Sequence, residues 1–135
     1  IVYGQDFSSR MIELALEKMP DAHLYKGDFT QGLVEPLNQK QYDFIVATYS
    51  IHHLSDTEKI SFLKELLNHL KAGGKILIGD VAFETRNEWA KCKEESGDEW
   101  DSNEIYCIAE ELKLEFPNLH FKRITFCSGI LIIPG

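Results

Sequence analysis

Residues 42–56, YDFIVATYSIHHLSD, run from the most strand-like stretch of the chain into a well-marked helix start. Tyr42 to Ser50 is nearly continuously apolar, as a strand covered on both faces would be. Ser55 and Glu58 then form a capping box, in which each side chain answers the other's exposed backbone N–H. Ile60, Leu63, Leu67 and Leu70 repeat at helical spacing, and Gly73 is placed to end the helix. KILIGDVAF, residues 75–83, follows as a second buried strand.

The same alternation extends in both directions. IVYG at residues 1–4 reads as a strand that leads to Asp6. Ser8 or Ser9 caps a helix through Met19, with Met11, Leu14, Ala15 and Met19 on one face, and Pro20 stops it. AHLYKGD, residues 22–28, is a second short strand ending at Asp28. Beyond residue 83 a charged helix is expected over 84–95. Asp101 and Glu104 suggest another capping box, for a helix holding Ile105, Ile108, Ala109, Leu112 and Phe116 and stopped by Pro117. HFKRITF and GILIIPG, with only two residues between them, should pair as an antiparallel hairpin. The expected fold class is therefore α/β, a mostly parallel sheet with helices on both faces and a C-terminal antiparallel hairpin. Ligands in such sheets bind beyond the carboxyl ends of the strands. The residues to question are Asp6, Asp28, Thr48 to His53, and Asp80 to Glu84.

Composition narrows the function classes. The chain has 135 residues, 44% apolar and 27% charged, the profile of an ordinary globular domain, and a single domain over 1–135 is expected. Its net charge is −8, and residues 84–104 hold eight acids against three bases. That balance argues against nucleic acid or an anionic membrane as partner. No apolar run is long enough to span a bilayer. Cys92, Cys107 and Cys127 are odd in number and form no C-x-x-C pair, so reduced thiols in a cytoplasmic protein are expected. His52 and His53 are adjacent, point in different directions and have no third ligand at suitable spacing, so no metal is expected. One of them should pack beneath the following helix while the other, His52, faces a pocket.

VYGQDFSSRMIELA, KGDF, YDFIVATYSIHHLSD, LKAGGKILIGDVAF and the closing hairpin together resemble the class I S-adenosylmethionine-dependent methyltransferases. TYSIHHLSDTEK followed by GGKILIGDVAFE resembles a group of small bacterial methyltransferases. The resemblance runs along essentially the whole chain and is loosest between Glu84 and Asn118. It implies a Rossmann-like three-layer sandwich, with S-adenosyl-L-methionine as cofactor and S-adenosyl-L-homocysteine as product. It implies that Asp6 accepts from the ribose hydroxyls and that Asp28 accepts from the adenine amine, with Phe29 against the ring. Thr48 and Tyr49 would border the methionine side. His52, Tyr49 and Asp80 are the candidates for a catalytic base, needed only if the acceptor must lose a proton. Trp89 and Trp100 fall where the family builds a lid or substrate wall; packing of an amphipathic helix against the sheet is the other reading of both.

The family also has a first strand and a glycine-rich turn, and no such loop stands in residues 1–135. The expectation is thus an N-terminally incomplete domain whose first strand and helix are missing. The expected activity is methyl transfer to a small-molecule acceptor by a monomer or homodimer; the alternative is a methyltransferase-like domain that binds without turnover. A response-regulator-like receiver would instead carry an acid pair at its first strand's end and a lysine after the last parallel strand. Here Asp80 holds that position.

Overall fold

Short strands joined by well-capped helices build the chain, and the computed structural model describes all of residues 1–135. The elements divide into two units, Ile1–Lys40 and Gln41–Gly135.

In the first unit, β1 (Tyr3–Asp6), α1 (Ser9–Lys18) and β2 (His23–Lys26) form a β-α-β unit. β1 and β2 are parallel, with Tyr3 opposite His23 and Asp6 opposite Lys26. Ser8 caps α1, its hydroxyl accepting from the Met11 N–H. A short 3-10 turn, Phe29–Gln31, and a single helical turn, α2 (Glu35–Asn38), complete the unit. The expected apolar face of α1 is real in spacing but is not covered: no α1 residue is buried, and Met11, Leu14 and Met19 are exposed.

The second unit holds β3 (Tyr42–Thr48), α3 (Asp56–Leu67), β4 (Leu70–Phe83), α4 (Arg86–Ser96), β5 (Cys107–Ile108), α5 (Ala109–Leu112), β6 (His120–Thr125) and β7 (Ser128–Pro134). Its sheet runs β3-β4-β7-β6, with β5 pairing β4 off that path. β3 and β5 lie parallel to β4, while β7 runs antiparallel to both β4 and β6. The parallel pairs and the closing hairpin give the mixed α/β class expected. β3 differs from its reading as a strand covered on both faces. It is an edge strand paired only with β4, and Phe44 and Val46 are 61% and 63% exposed.

The capping box at Ser55 and Glu58 forms in both directions, at 3.2 and 2.9 Å. α3 stops at Leu67 rather than running to Gly73, because Leu70 already pairs with Tyr42. The register then slips: β3 advances from Tyr42 to Phe44 while β4 advances from Leu70 to Lys75. Gly73, at φ +80, and Gly74 make that irregularity possible. A Cβ on Gly74 would sit 2.8 Å from the Asp43 carbonyl oxygen.

β4 is the spine. Ile76, Ile78, Asp80 and Ala82 are buried in strict alternation, and Leu63, Leu66, Leu131, Ile133 and Phe116 add to the same core. Each such aliphatic or aromatic side chain contributes about 1.5–3 kcal/mol through burial. Two expectations fail in this unit. No helix begins at Asp101. Its carboxylate accepts from the Asn103 N–H in a local turn, the chain continues irregularly to β5, and only α5 is helical. The three cysteines are not all free thiols either. Cys92 on α4 and Cys127 in the hairpin loop are joined in a disulfide, with Cα atoms 6.4 Å apart, and Cys107 alone is free and buried. Folding brings together two positions 35 residues apart.

Candidate functional site

In the first unit, parallel pairing places two carboxylates beyond the carboxyl ends of adjacent strands. Asp6 closes β1, and Asp28 follows β2 by two residues. Asp6 is half-buried and its Oδ1 accepts from the Ser8 N–H at 2.8 Å. Asp28 is exposed, and its Oδ1 accepts from the Thr30 N–H at 2.9 Å, which opens the 3-10 turn containing Phe29. Hydrogen bonds from the Thr30 side chain and then its backbone hold the Asp28 carboxyl below its usual range. Both of these backbone bonds use Oδ1, and a carboxylate has a second oxygen with further lone pairs.

Gln5, which the sequence reading passed over, ties this region together. Its Oε1 accepts from the Val34 N–H at 2.9 Å and its Nε2 donates to the Gly32 carbonyl at 3.1 Å, pinning the loop after Asp28 to β1. Gly27 allows that approach, since a Cβ there would meet Val34 Cγ1 at 2.5 Å.

In the second unit the candidates gather where β3 ends beside the Gly79–Asp80 stretch of β4, so Asp80 lies within the strand rather than at its end. Thr48 pairs with Gly79, and the Tyr49 N–H donates to the Gly79 carbonyl at 2.8 Å. Tyr49 is left-handed, at φ 49, and its ring is exposed. A non-glycine residue held in that region costs about 1–3 kcal/mol, and such strain gathers at ligand sites. A 3-10 turn, Ile51–His53, follows. The two histidines differ in burial. His52 is the buried member, at 8% exposure, while His53 is exposed.

His52 is held by Asp80. Nδ1 lies 2.9 and 3.0 Å from the two Asp80 oxygens, and Asp80 itself is 3% exposed with Oδ1 accepting from the Val81 N–H. Asp80 is therefore a partner to His52 rather than an open base. The ring's other nitrogen, Nε2, lies 3.5 Å from Glu104 Oε1. Glu104 Oε2 accepts from the Tyr106 hydroxyl at 2.9 Å.

A strap holds this cluster closed. The Ile105 N–H donates to the His52 carbonyl at 2.9 Å, and the Lys59 Nζ donates to the Ile105 carbonyl. Lys59 is 1% exposed, and burial pushes its ammonium below the usual lysine range. Burial is also the chief reason the Tyr106 phenol and the Cys107 thiol are each pushed up to about 12. Trp100 stands edge-on to Tyr106 at 5.2 Å and to Trp89 at 5.9 Å, so both tryptophans belong to one aromatic wall. They also line a cleft beside α4 with Lys93 and Glu94. Glu104 and Lys59 could not be placed here from the sequence: the first reads as a capping-box acid, and nothing in the pattern singles out the second.

These two clusters of polar groups at strand ends accord with a wider kinship. Residues 1–76 match the family described as a methyltransferase domain. The chain belongs to that methyltransferase family. An uncharacterized methyltransferase of Anoxybacillus flavithermus is 41% identical over 88 residues, covering 65% of this chain and 40% of that protein. One from Oceanobacillus iheyensis is 32% identical over 115 residues, 85% of this chain and 51% of its own length. The chain thus spans about half the length of these curated methyltransferase relatives. Among solved structures, the N-methyltransferase NodS from Bradyrhizobium japonicum, in complex with S-adenosyl-L-homocysteine, matches with TM-score 0.65 at 13% identity, over 98% of this chain and 65% of its own. DhpI in its SAH complex matches with TM-score 0.71 at 16% identity, over 99% and 66%. At such identities these likenesses show the shared Rossmann-like methyltransferase fold.

Proposed function

We propose that this methyltransferase-family chain is part of an enzyme that uses S-adenosyl-L-methionine to methylate a small molecule. The observation that carries the reading is the pair of carboxylates, Asp6 and Asp28, set beyond the ends of adjacent parallel strands. They fit an adenosine: Asp6 as acceptor for ribose hydroxyls, Asp28 for the adenine amino group, and Phe29 beside the ring. The family resemblance implies that Thr48 and Tyr49 border the methionine portion. When bound, S-adenosylmethionine supplies a methyl group on a sulfonium sulfur. The chain's task is then to hold donor and acceptor in line and close. His52, carried by Asp80, and the exposed Tyr49 are the groups placed to manage an acceptor proton.

The acidic balance supports the view that neither nucleic acid nor an anionic membrane is the partner. No helix is long and apolar enough to cross a membrane. A cytoplasmic monomer or homodimer is part of the same proposal. A Cys92–Cys127 bond persisting in protein taken directly from cells would count against that location, since disulfides persist mainly in oxidising compartments. The test of function is calorimetric titration of S-adenosylhomocysteine into the natural chain and into Asp6→Ala. Loss of the ribose hydrogen bonds is expected to weaken binding by about 1–3 kcal/mol. Unchanged affinity in a folded variant would remove Asp6 from the site.

A further inference from the structure

Strand alternation sends the side chains of Gln5 and Asp6 to opposite faces of β1. Gln5 turns toward the loop that carries Asp28. Its Nε2 donates to the Gly32 carbonyl and its Oε1 accepts from the Val34 N–H. Those partners lie two residues apart, the spacing at which a parallel strand would bond them, so the carboxamide takes the place of a neighbouring backbone. The partners also fix the orientation of the amide, since a carbonyl needs the donor and an N–H the acceptor.

The start of the loop is held against the same side chain. The Gly27 N–H donates to the Asp6 carbonyl at 3.0 Å. A Cβ on Gly27 would lie 2.5 Å from Val34 Cγ1 and 3.1 Å from Gln5 Nε2. Residues 27–34 thus form a loop with both ends closed around Gln5. Inside it, Asp28 accepts from the Thr30 N–H and opens the 3-10 turn that holds Phe29, and Gly32 at φ 89 turns the chain back. That Asp28 bond stays within the loop. The position of its carboxylate relative to β1, and so to Asp6, follows from where the loop ends are fixed.

We propose that Gln5 is a positioning residue for purine recognition: by clamping residues 27–34 to β1 it holds Asp28 and Phe29 where an adenine is told from a purine bearing oxygen in place of the amino group. The proposal rests on the reading of Asp28 as acceptor for the adenine amine. An amino group donates to that carboxylate, whereas a purine oxygen presents a second acceptor to it. Hydrogen bonds weaken once the heavy atoms part beyond about 3.2 Å, so the discrimination depends on a carboxylate held in place. A loop ordered beforehand also loses less freedom when the ligand arrives. Asp6 belongs to β1 itself, and its contact with ribose does not pass through the clamp. Loss of Gln5 therefore acts on selectivity for the base rather than on the ribose contact.

The test titrates S-adenosylhomocysteine and S-inosylhomocysteine, its 6-oxo analogue, into the natural chain and into Gln5→Met, which keeps the length of the side chain and removes both polar ends. The natural chain is expected to prefer the adenosyl ligand about tenfold. In Gln5→Met the adenosyl affinity is expected to fall about tenfold and the inosyl affinity to change less than about twofold, so that the preference disappears. A preference that survives in Gln5→Met overturns the positioning role, whether both affinities hold or fall together; a joint fall is what a merely structural residue would give. Lys40 Nζ stands 5.0 Å from the centre of the Tyr3 ring and joins the chain beyond the loop to β1 independently, so the variant is expected to fold. Should it not, Gln5→Glu, which keeps the acceptor for Val34 and loses the donor to Gly32, is judged by the same criterion. No binding of either ligand overturns the cofactor reading together with this role. Binding without preference in the natural chain overturns the Asp28 assignment and this role, whereas a preference untouched by the substitution removes Gln5 alone.

Discussion

At the scale of single residues, the cluster around His52 makes the sharpest demands. Asp80 is a carboxylate on the fully buried face of β4, tolerated because His52 and the Val81 N–H use its oxygens. Asp80→Ala should therefore destabilise the chain by about 1–3 kcal/mol, since it leaves the His52 Nδ1–H buried without an acceptor. A loss of unfolding free energy, from urea denaturation, of less than about 0.3 kcal/mol would contradict the pairing. Tyr106 offers a second check. Its folded pKa, about 12, lies above its ordinary value of 10.0. The folded state thus holds this proton more tightly than the unfolded state does. The associated stability is complete below pH 10 and is lost as the pH rises toward 12. An ultraviolet phenolate titration should show a late step, and Tyr106→Phe should remove it. A late step that survives Tyr106→Phe would assign it elsewhere.

At the scale of elements, the parts whose causes are local were legible. Ser55 and Glu58 announce the start of α3 because the capping box is formed by residues three apart. The hairpin of β6 and β7 shows because two apolar runs flank a two-residue loop. What failed depended on neighbours distant in sequence. The helix expected from Asp101 does not form, because Ile105 is taken by His52 and Lys59, and Cys107–Ile108 pairs with β4 as a strand. Glu104 was thereby read as a cap when it lies beside His52 and accepts from the Tyr106 hydroxyl. The apolar run of β3 promised cover on both faces, yet an edge position leaves Phe44 and Val46 open. Long exposed apolar edges invite pairing with other chains. Residues 1–135 alone should self-associate with concentration, and the double change Phe44→Lys, Val46→Lys should reduce that association. Light scattering that stays flat for the natural sequence would show that the edge is inert.

At the scale of the whole molecule, the strand-helix alternation and the acids at strand ends carried the family assignment, and both were visible in one dimension. Cys92 and Cys127 were not, because nothing in a spacing of 35 residues tells which thiols meet. The bond predicts a definite alkylation pattern. Unfolded without reductant, the chain should take up one thiol reagent, at Cys107; unfolded after reduction, three. In the folded state Cys107 should stay unmodified at neutral pH, being buried with its thiol pushed up to about 12. Three reactive thiols without reductant would show the bond to be missing in solution.

The central claim is that strand-end carboxylates of this methyltransferase-family chain receive the cofactor. The most direct measurement is an amide NMR titration with S-adenosylhomocysteine. Saturable shifts are predicted at Asp6, at Asp28 through Thr30, and at Tyr49, with the Asp6 and Asp28 responses weakened in Asp6→Ala. A folded chain whose signals at Asp6 and Asp28 do not move at saturating ligand would contradict it.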